Sequence, residues 1–346
     1  MGLASTAVVG EGDPVSVENA PTPAAVPVRR SRDVPMLVER ARQGDPRAVA
    51  RLITLVESGD EMLPQVAAAL APYAGQAQVV GLTGSPGVGK STTTNELVRA
   101  LRAGGHRVGV LAIDPSSPFT GGAILGDRVR MQDHATDPGV YIRSMSSRGH
   151  LGGLSSATPQ AVRVLEGAGC DVVLVETVGV GQVEVEVASL ADTTLVLLAP
   201  GMGDAIQAVK AGILEIADVF VVNKADRDGA DNTVRDIQGM IALGERGPGQ
   251  WRPQVVRSIA ARGEGIDDIA AAIDKHRAWL EQHDQLRLRR EKRAAAEIEA
   301  IALGTLRARI GSLRDGTELP ALAAKVAEGA LDPYAAADEL LAQIGT

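Results

Sequence analysis

Aromatic side chains are nearly missing from this 346-residue chain, with two Phe, three Tyr and two Trp amounting to 2% of the sequence. The core must therefore be filled by Ala, Val, Leu and Ile, drawn from a hydrophobic content of 45%. So few rings also argue against stacking platforms for single-stranded nucleic acid. Positive charge is in deficit, 35 Lys and Arg against 43 Asp and Glu for a net −8, which leaves no electrostatic footprint for a duplex. Nucleic acid is not an expected partner. Cysteine is limited to Cys170, so no intrachain disulfide can form, and its apolar setting before a strand favours a buried structural thiol over a reactive one. No run of 18 apolar residues is present to cross a membrane. The N-terminus starts Met1-Gly2-Leu3-Ala4-Ser5-Thr6, superficially an acylation site, but Gly, Pro and acidic residues follow it and no apolar leader core is found. A cytoplasmic location is the expectation.

What is present is β-α alternation. Continuous apolar runs predict strands at 78–83, 107–114, 140–144, 171–176, 193–199, 218–223 and 253–258, separated by helical patterns. Such runs fit a mostly parallel sheet covered on both faces, with ligands at the strand C-termini. The expected fold is therefore α/β. Residues 1–33, rich in Ala, Pro, Val, Gly and Ser without a period, read as a disordered tail. Residues 34–76 read as a helical lead-in, with Asp45 as N-cap and Pro46 opening the second helix and a third helix over about 60–73. The α/β domain spans 77–283. A helical extension covers 284–346, with a basic run from Arg287 to Arg293. Two readings of that extension stand: helices packed on their own domain with the basic run solvated, or a dimerisation arm.

The segment Val79-Val80-Gly81-Leu82-Thr83-Gly84-Ser85-Pro86-Gly87-Val88-Gly89-Lys90-Ser91-Thr92 joins a strand to a helix through a glycine-rich turn with the spacing G-x-x-x-x-G-K-S. This is a P-loop. Backbone N–H groups from Gly87 to Lys90 would converge on phosphate oxygens, Lys90 would supply charge to the β/γ-phosphates, and Ser91 a hydroxyl to Mg²⁺. The sheet is thus expected to be that of a P-loop NTPase.

A buried strand ending Asn223-Lys224-Ala225-Asp226 points to the base. A carboxylate at Asp226 can accept from guanine N1–H and its exocyclic amine, a donor pair that adenine lacks, and buried hydrogen bonds reject the wrong base strongly. Ser258, Ile259 and Ala260 follow a later strand and could present a backbone amide to guanine O6. Asp114, Asp127 and Glu176 fall where strand ends and loops would bring carboxylates to a hard Mg²⁺ ion; singly, each also suits a helix cap or a surface acid. Gly179, in Glu176-Thr177-Val178-Gly179-Val180-Gly181-Gln182, could contact a γ-phosphate. Val180 occupies the position where Ras-like enzymes carry a water-orienting Gln, which predicts slow intrinsic hydrolysis and a switching role. Arg128 and Arg148 are further candidate charge stabilisers.

The P-loop, Asp114-Pro115-Ser116-Ser117-Pro118, the stretch Gly121 to Arg128, Ser144 to Gly149, Leu151 to Leu154, Glu176 to Gln182 and Asn223 to Asp226 together resemble the methylmalonyl-CoA mutase-associated GTPases, MeaB-like G-proteins also labelled ArgK or LAO/AO transport-system kinases. The likeness runs from about residue 34 to the C-terminus. It implies a GTP-hydrolysing chaperone, using GTP/GDP and Mg²⁺, that gates cofactor loading of adenosylcobalamin-dependent methylmalonyl-CoA mutase from an adenosyltransferase and protects the mutase. It further implies a homodimer made through the C-terminal arm, and a third switch in Pro200 to Lys210 with Asp204 and Lys210 as coupling residues. No cobalamin signature is present, and the five His are scattered. Rival readings are a kinase of a periplasmic binding protein, a metallochaperone GTPase, against which the scarcity of Cys and clustered His speaks, and a non-enzymatic scaffold.

Overall fold

The long apolar strands predicted from sequence pair into one sheet. The computed structural model describes residues 33–114, 132–134, 136–146, 157–177, 183–201, 214–244, 247, 249–314 and 318–344. Among them are seven strands: β1 (Gln78–Thr83), β2 (Val108–Asp114), β3 (Val140–Ser146), β4 (Val172–Thr177), β5 (Thr193–Leu198), β6 (Val219–Asn223) and β7 (Gln254–Ser258). Their spatial order is β3-β2-β4-β1-β5-β6-β7 and every pairing is parallel. The sheet is central because β1, β4, β5 and β6 are buried along their whole length, as Val-rich parallel strands covered on both faces must be. Chain direction turns outward on either side of β1, so the crevice at the C-terminal ends of β1, β4 and β5 is where the topology leaves room for a ligand.

Helices α1 (Val34–Arg42), α2 (Pro46–Ser58) and α3 (Leu63–Leu70) lead in. Asp33 caps α1 through Met36 N–H (3.1 Å), and Asp45 caps α2 through Arg47 N–H (2.8 Å) with Pro46 as its first residue. The third helix is shorter than the sequence suggests. It begins at Leu63 after Asp60 accepts from Met62 N–H (3.0 Å), and it gives way to a 3-10 turn at Ala71–Tyr73, where the ring of Pro72 cannot continue an α-helical ladder.

The remaining helices of eight residues or more among the described residues are α4 (Lys90–Ala103), α5 (Ala157–Gly167), α6 (Val183–Leu190), α7 (Ala230–Leu243), α8 (Ile266–Gln282), α9 (Gln285–Arg314), α10 (Glu318–Ala327) and α11 (Pro333–Ile344). On one face, Leu37, Leu52 and Ile53 of the lead-in share a core with Val79, Leu111, Val173 and Leu165. On the other, Leu97 and Val98 of α4 and Ile269 and Ile273 of α8 cover Val80, Leu82 and Leu174. Phe220 fills a third cluster under α7 and is fully buried, a placement worth about 1.5–3 kcal/mol of transfer free energy. Cys170 is buried as expected, and burial pushes its thiol up to about 12.

The basic run beginning α9 is only partly solvated: Arg287 and Lys292 are exposed, while Arg289, Arg290 and Arg293 seat on the sheet. Arg289 makes a fork to Asp218 (2.8 and 2.9 Å), Arg290 binds Asp192 (2.9 Å) and the carbonyls of Gly75 and Ala77, and Arg293 donates to the Leu190 carbonyl (2.6 Å). Asp192 and Asp218 are buried just ahead of β5 and β6. His276 lies there too, its Nδ1 2.9 Å from Thr193 Oγ1 and its Nε2 3.3 Å from Asp218 Oδ1 but out of hydrogen-bonding alignment. Burial brings its imidazole down to about 4, outweighing the opposing pull of Asp218.

Candidate nucleotide site

The C-terminal edge of the sheet gathers motifs that are far apart in sequence. β1 runs beside β4 with Leu82 opposite Glu176, and β6 beside β7 with Asn223 opposite Ser258. The P-loop, Glu176, the Asn223–Asp226 segment and the loop after Ser258 are thereby neighbours.

Between β1 and α4 the loop turns through glycines with positive φ: Gly84 at 137°, Gly87 at 80° and Gly89 at 99°. At Gly84 a Cβ would overlap the Leu197 carbonyl, and at Gly89 it would overlap the Asn223 amide. Both positions thus exclude side chains for want of space as well as by dihedral. Val88 is fully buried and pins the loop, while Pro86 and Gly87 face solvent. Lys90 opens α4, and its ammonium donates to the carbonyls of Gly84 (2.7 Å) and Ser85 (3.2 Å). The charge is thereby held over the loop, next to the α4 N-terminus, whose N–H groups and dipole favour anions.

Glu176, 1% exposed, receives two hydroxyls from α4: Ser91 Oγ at 2.6 Å and Thr94 Oγ1 at 2.9 Å. The Lys90 carbonyl, 3.0 Å from Thr94 Oγ1, is the alternative acceptor for that single O–H. Thr94 was not singled out from the sequence, although it follows Lys90 by one helical turn in the Thr92-Thr93-Thr94 run, a spacing that puts it on the same face. Thr92 is exposed. Asp114 ends β2, whose Ala112 pairs with Glu176; the Asp114 side chain, Asp127, Arg128, Arg148, Gly179, Asp204 and Lys210 lie outside the described residues. The described part of the metal set, Ser91 and Glu176, is oxygen-only, a hydroxyl and a carboxylate, which matches the donor preference of Mg²⁺.

Asn223 ties the site together. Its Nδ2 donates to the Val88 carbonyl (2.8 Å), and its Oδ1 accepts from Ala260 N–H (3.0 Å) and Ser258 Oγ (3.2 Å). One buried amide therefore joins the P-loop to the loop after β7. Lys224 follows in a left-handed conformation, φ 58°, and its ammonium reaches the Gly87 carbonyl at 2.7 Å. Ala225 N–H donates to the Ser258 carbonyl (3.0 Å), which sets the level of Asp226. The Asp226 carboxylate is 37% exposed, with Arg262 Nη2 at 3.5 Å. Asp226 thus stays within reach of a ligand edge, whereas the Asn223 side chain is spent mainly on internal bonds. Ile259 is half-buried and Ala260 buried, with Ile259 bridged to Glu264.

Comparison with known proteins accords with this geometry. The family model of the "Methylmalonyl Co-A mutase-associated GTPase MeaB" matches residues 49–314. A Pyrococcus abyssi protein bearing a GTPase name is 48% identical over 311 residues, covering 89% of this chain and 96% of that one. Escherichia coli GTPase ArgK is 39% identical over 74% of this chain and 80% of its own. The mouse methylmalonic aciduria type A homolog, mitochondrial, is 37% identical over 76% of this chain and 64% of its own. A crystal structure described as LAO/AO transport system kinase superposes with a TM-score of 0.67 at 28% identity, covering 90% of this chain and 98% of that one. With its parallel P-loop sheet, its lysine-crowned loop and a family match through all seven strands, the chain belongs to the methylmalonyl-CoA mutase-associated GTPases of the MeaB family.

Proposed function

We propose that this GTPase is a G-protein chaperone of adenosylcobalamin-dependent methylmalonyl-CoA mutase, gating cofactor loading from an adenosyltransferase and protecting the mutase. The observation that carries the partner is the mutase-associated family match over residues 49–314; the name of the mouse relative points the same way. In this reading the amides of Gly87 to Lys90 bind phosphate oxygens, with Gly84, Ser85, Pro86, Val88 and Thr92 shaping the loop. Lys90 neutralises the β/γ-phosphates. Asp226 reads guanine, Lys224 and Asn223 hold its loop, and Ser258, Ile259 and Ala260 line the O6 side. Ser91, Asp114, Asp127 and Glu176 would hold Mg²⁺, which when bound neutralises phosphate charge. Water attacks the γ-phosphorus in line and GDP leaves, with Lys90 and loop amides, Gly179 included, stabilising the charge that develops.

A homodimer through the C-terminal helices is part of the proposal. At 3.6 residues per turn, exposed Leu288, Leu303 and Leu306 fall within about 60° of one another around α9, and exposed Ile298 and Ile301 widen the apolar arc to about 200°. An apolar arc this broad suits a helix covered by more than one neighbour. No helix among the described residues is long and apolar enough to cross a membrane, and we place the protein in the cytoplasm.

The test is turnover of GTP, and of ATP for comparison, with and without the purified mutase, using Lys90→Ala as the inactive control. Stimulation confined to GTP is expected; turnover indifferent to the mutase sinks the chaperone reading. A second reading, phosphoryl transfer to a transport-system protein, draws on the description of the similar crystal structure. It requires label from γ-labelled nucleotide to appear on protein.

A further inference from the structure

Arg262 has no part in the reading above, yet it stands beside the base-reading carboxylate. It closes the 3-10 turn Ala260–Arg262, whose backbone is well fixed: Ala260 N–H goes to Asn223, Arg262 N–H to the Ile259 carbonyl (2.8 Å), and Gly263 at φ 73° returns the chain so that Ile259 N–H meets the Glu264 carbonyl (2.9 Å). From this mount the guanidinium sits 3.5 Å from Asp226 Oδ2 and 3.9 Å from Glu264 Oε1. Its side chain is 60% exposed, so these ion pairs contribute little to stability by themselves. Stability is a weak reason for a rigid turn to carry a planar cation there.

A purine offers two flat faces as well as an edge, and the faces need cover from a ring or a planar group. Aromatic residues do not supply it among the described residues. Phe220 is in the core, Trp251 and Trp279 pack about His276 at the opposite edge of the sheet, Tyr73 and Tyr141 lie near Arg42 and Arg107, and Tyr334 is on α11. A guanidinium plane stacks on heteroaromatic rings and attracts their π-face.

We infer that Arg262 is a base-binding residue: resting on the guanine assignment of Asp226, its guanidinium covers one face of the base whose edge Asp226 reads. The contact is to the ring, so it is blind to the exocyclic amine. Guanine and hypoxanthine nucleotides should both feel its loss, while only guanine offers the second donor to Asp226.

Equilibrium binding of GDP, IDP and ADP to the full chain tests this, with Arg262→Ala, Arg262→Lys and Asp226→Ala variants whose thermal midpoints confirm folding. Arg262→Ala is expected to weaken GDP and IDP by the same factor, about 3- to 10-fold, and Arg262→Lys, which keeps charge without a plane, to recover less than half of the loss. GDP affinity unchanged in Arg262→Ala, a loss confined to GDP, or full rescue by lysine overturns the assignment. Asp226→Ala separates the premises: it should abolish the preference for GDP over ADP. A wild-type protein without that preference refutes the guanine reading and the arginine with it. A wild-type protein with it, beside an indifferent Arg262→Ala, refutes the arginine alone.

Discussion

Replacing Asn223 by alanine should damage the protein more than the loss of one solvent-facing recognition residue would. The amide accepts from Ala260 N–H and Ser258 Oγ and donates to the Val88 carbonyl, and it is 2% exposed. Alanine leaves the Val88 carbonyl and the Ala260 N–H without those partners in a buried setting. At about 1–3 kcal/mol for each of the two orphaned groups, with the Ser258 hydroxyl free to rotate elsewhere, the expected loss is about 2–6 kcal/mol. That is a large part of a typical stability of about 5–15 kcal/mol. Urea unfolding followed by far-UV circular dichroism reads it as a fall in midpoint at unchanged m-value. Nucleotide affinity should fall at least about tenfold, equivalent to about 1.4 kcal/mol, because the P-loop and the loop after β7 lose their common tie. Ser258→Ala is the comparator, removing one bond from a hydroxyl that can turn away, and should cost less than about 1 kcal/mol. If Asn223→Ala cost no more than Ser258→Ala and bound GDP as the wild type does, the strut argument would be wrong.

Three further outcomes follow from the far edge of the sheet and the core. Arg289→Ala leaves Asp218, 7% exposed, without its fork, and should lower stability by about 3 kcal/mol in the same urea assay; a loss under about 1 kcal/mol would mean that water reaches the carboxylate. His276 is held near 4 against an ordinary 6.5, so between those values the unfolded chain binds the extra proton. Stability therefore falls as pH drops from about 6.5 toward 4, and a His276→Leu variant should show a shallower slope in that window; equal slopes would place the acid sensitivity elsewhere. Cys170, raised to about 12 by burial, should not react with a thiol reagent in the native protein at pH 8 and should react fully in 8 M urea; rapid native labelling would contradict its burial.

The sheet was legible because each strand is a continuous apolar run, and length and flanking glycines distinguish such runs from helices. Predicted strand ends moved by a residue or two. Asp171, expected as the first residue of a strand, lies just ahead of β4, which begins at Val172; its carboxylate also accepts Arg107 N–H (2.7 Å). The P-loop was legible because its spacing is local. The partnership of Thr94 with Glu176 was not, since those residues are 82 positions apart and a threonine within a helix carries no sign of its partner. The seating of Arg289 and Arg290 was hidden for the same reason. Their carboxylates lie 71 and 98 residues upstream, and a cluster of arginines looks the same in sequence whether it faces water or closes a buried pair.

The arginine-studded root of α9 bears on where this protein can be cut. A fragment ending with α8 would retain every motif of the nucleotide site, yet it would expose the ends of β5 and β6 and strand Asp192 and Asp218 with no counter-charge from α9. Buried carboxylates abandoned in this way are among the more costly defects a domain can carry. The smallest piece expected to stand alone therefore extends past Arg293 to Glu297, which pairs with Arg163 of α5 at 2.6 Å, so the root of the helical extension is a structural part of the nucleotide-binding unit and a boundary drawn ahead of it cuts through that unit.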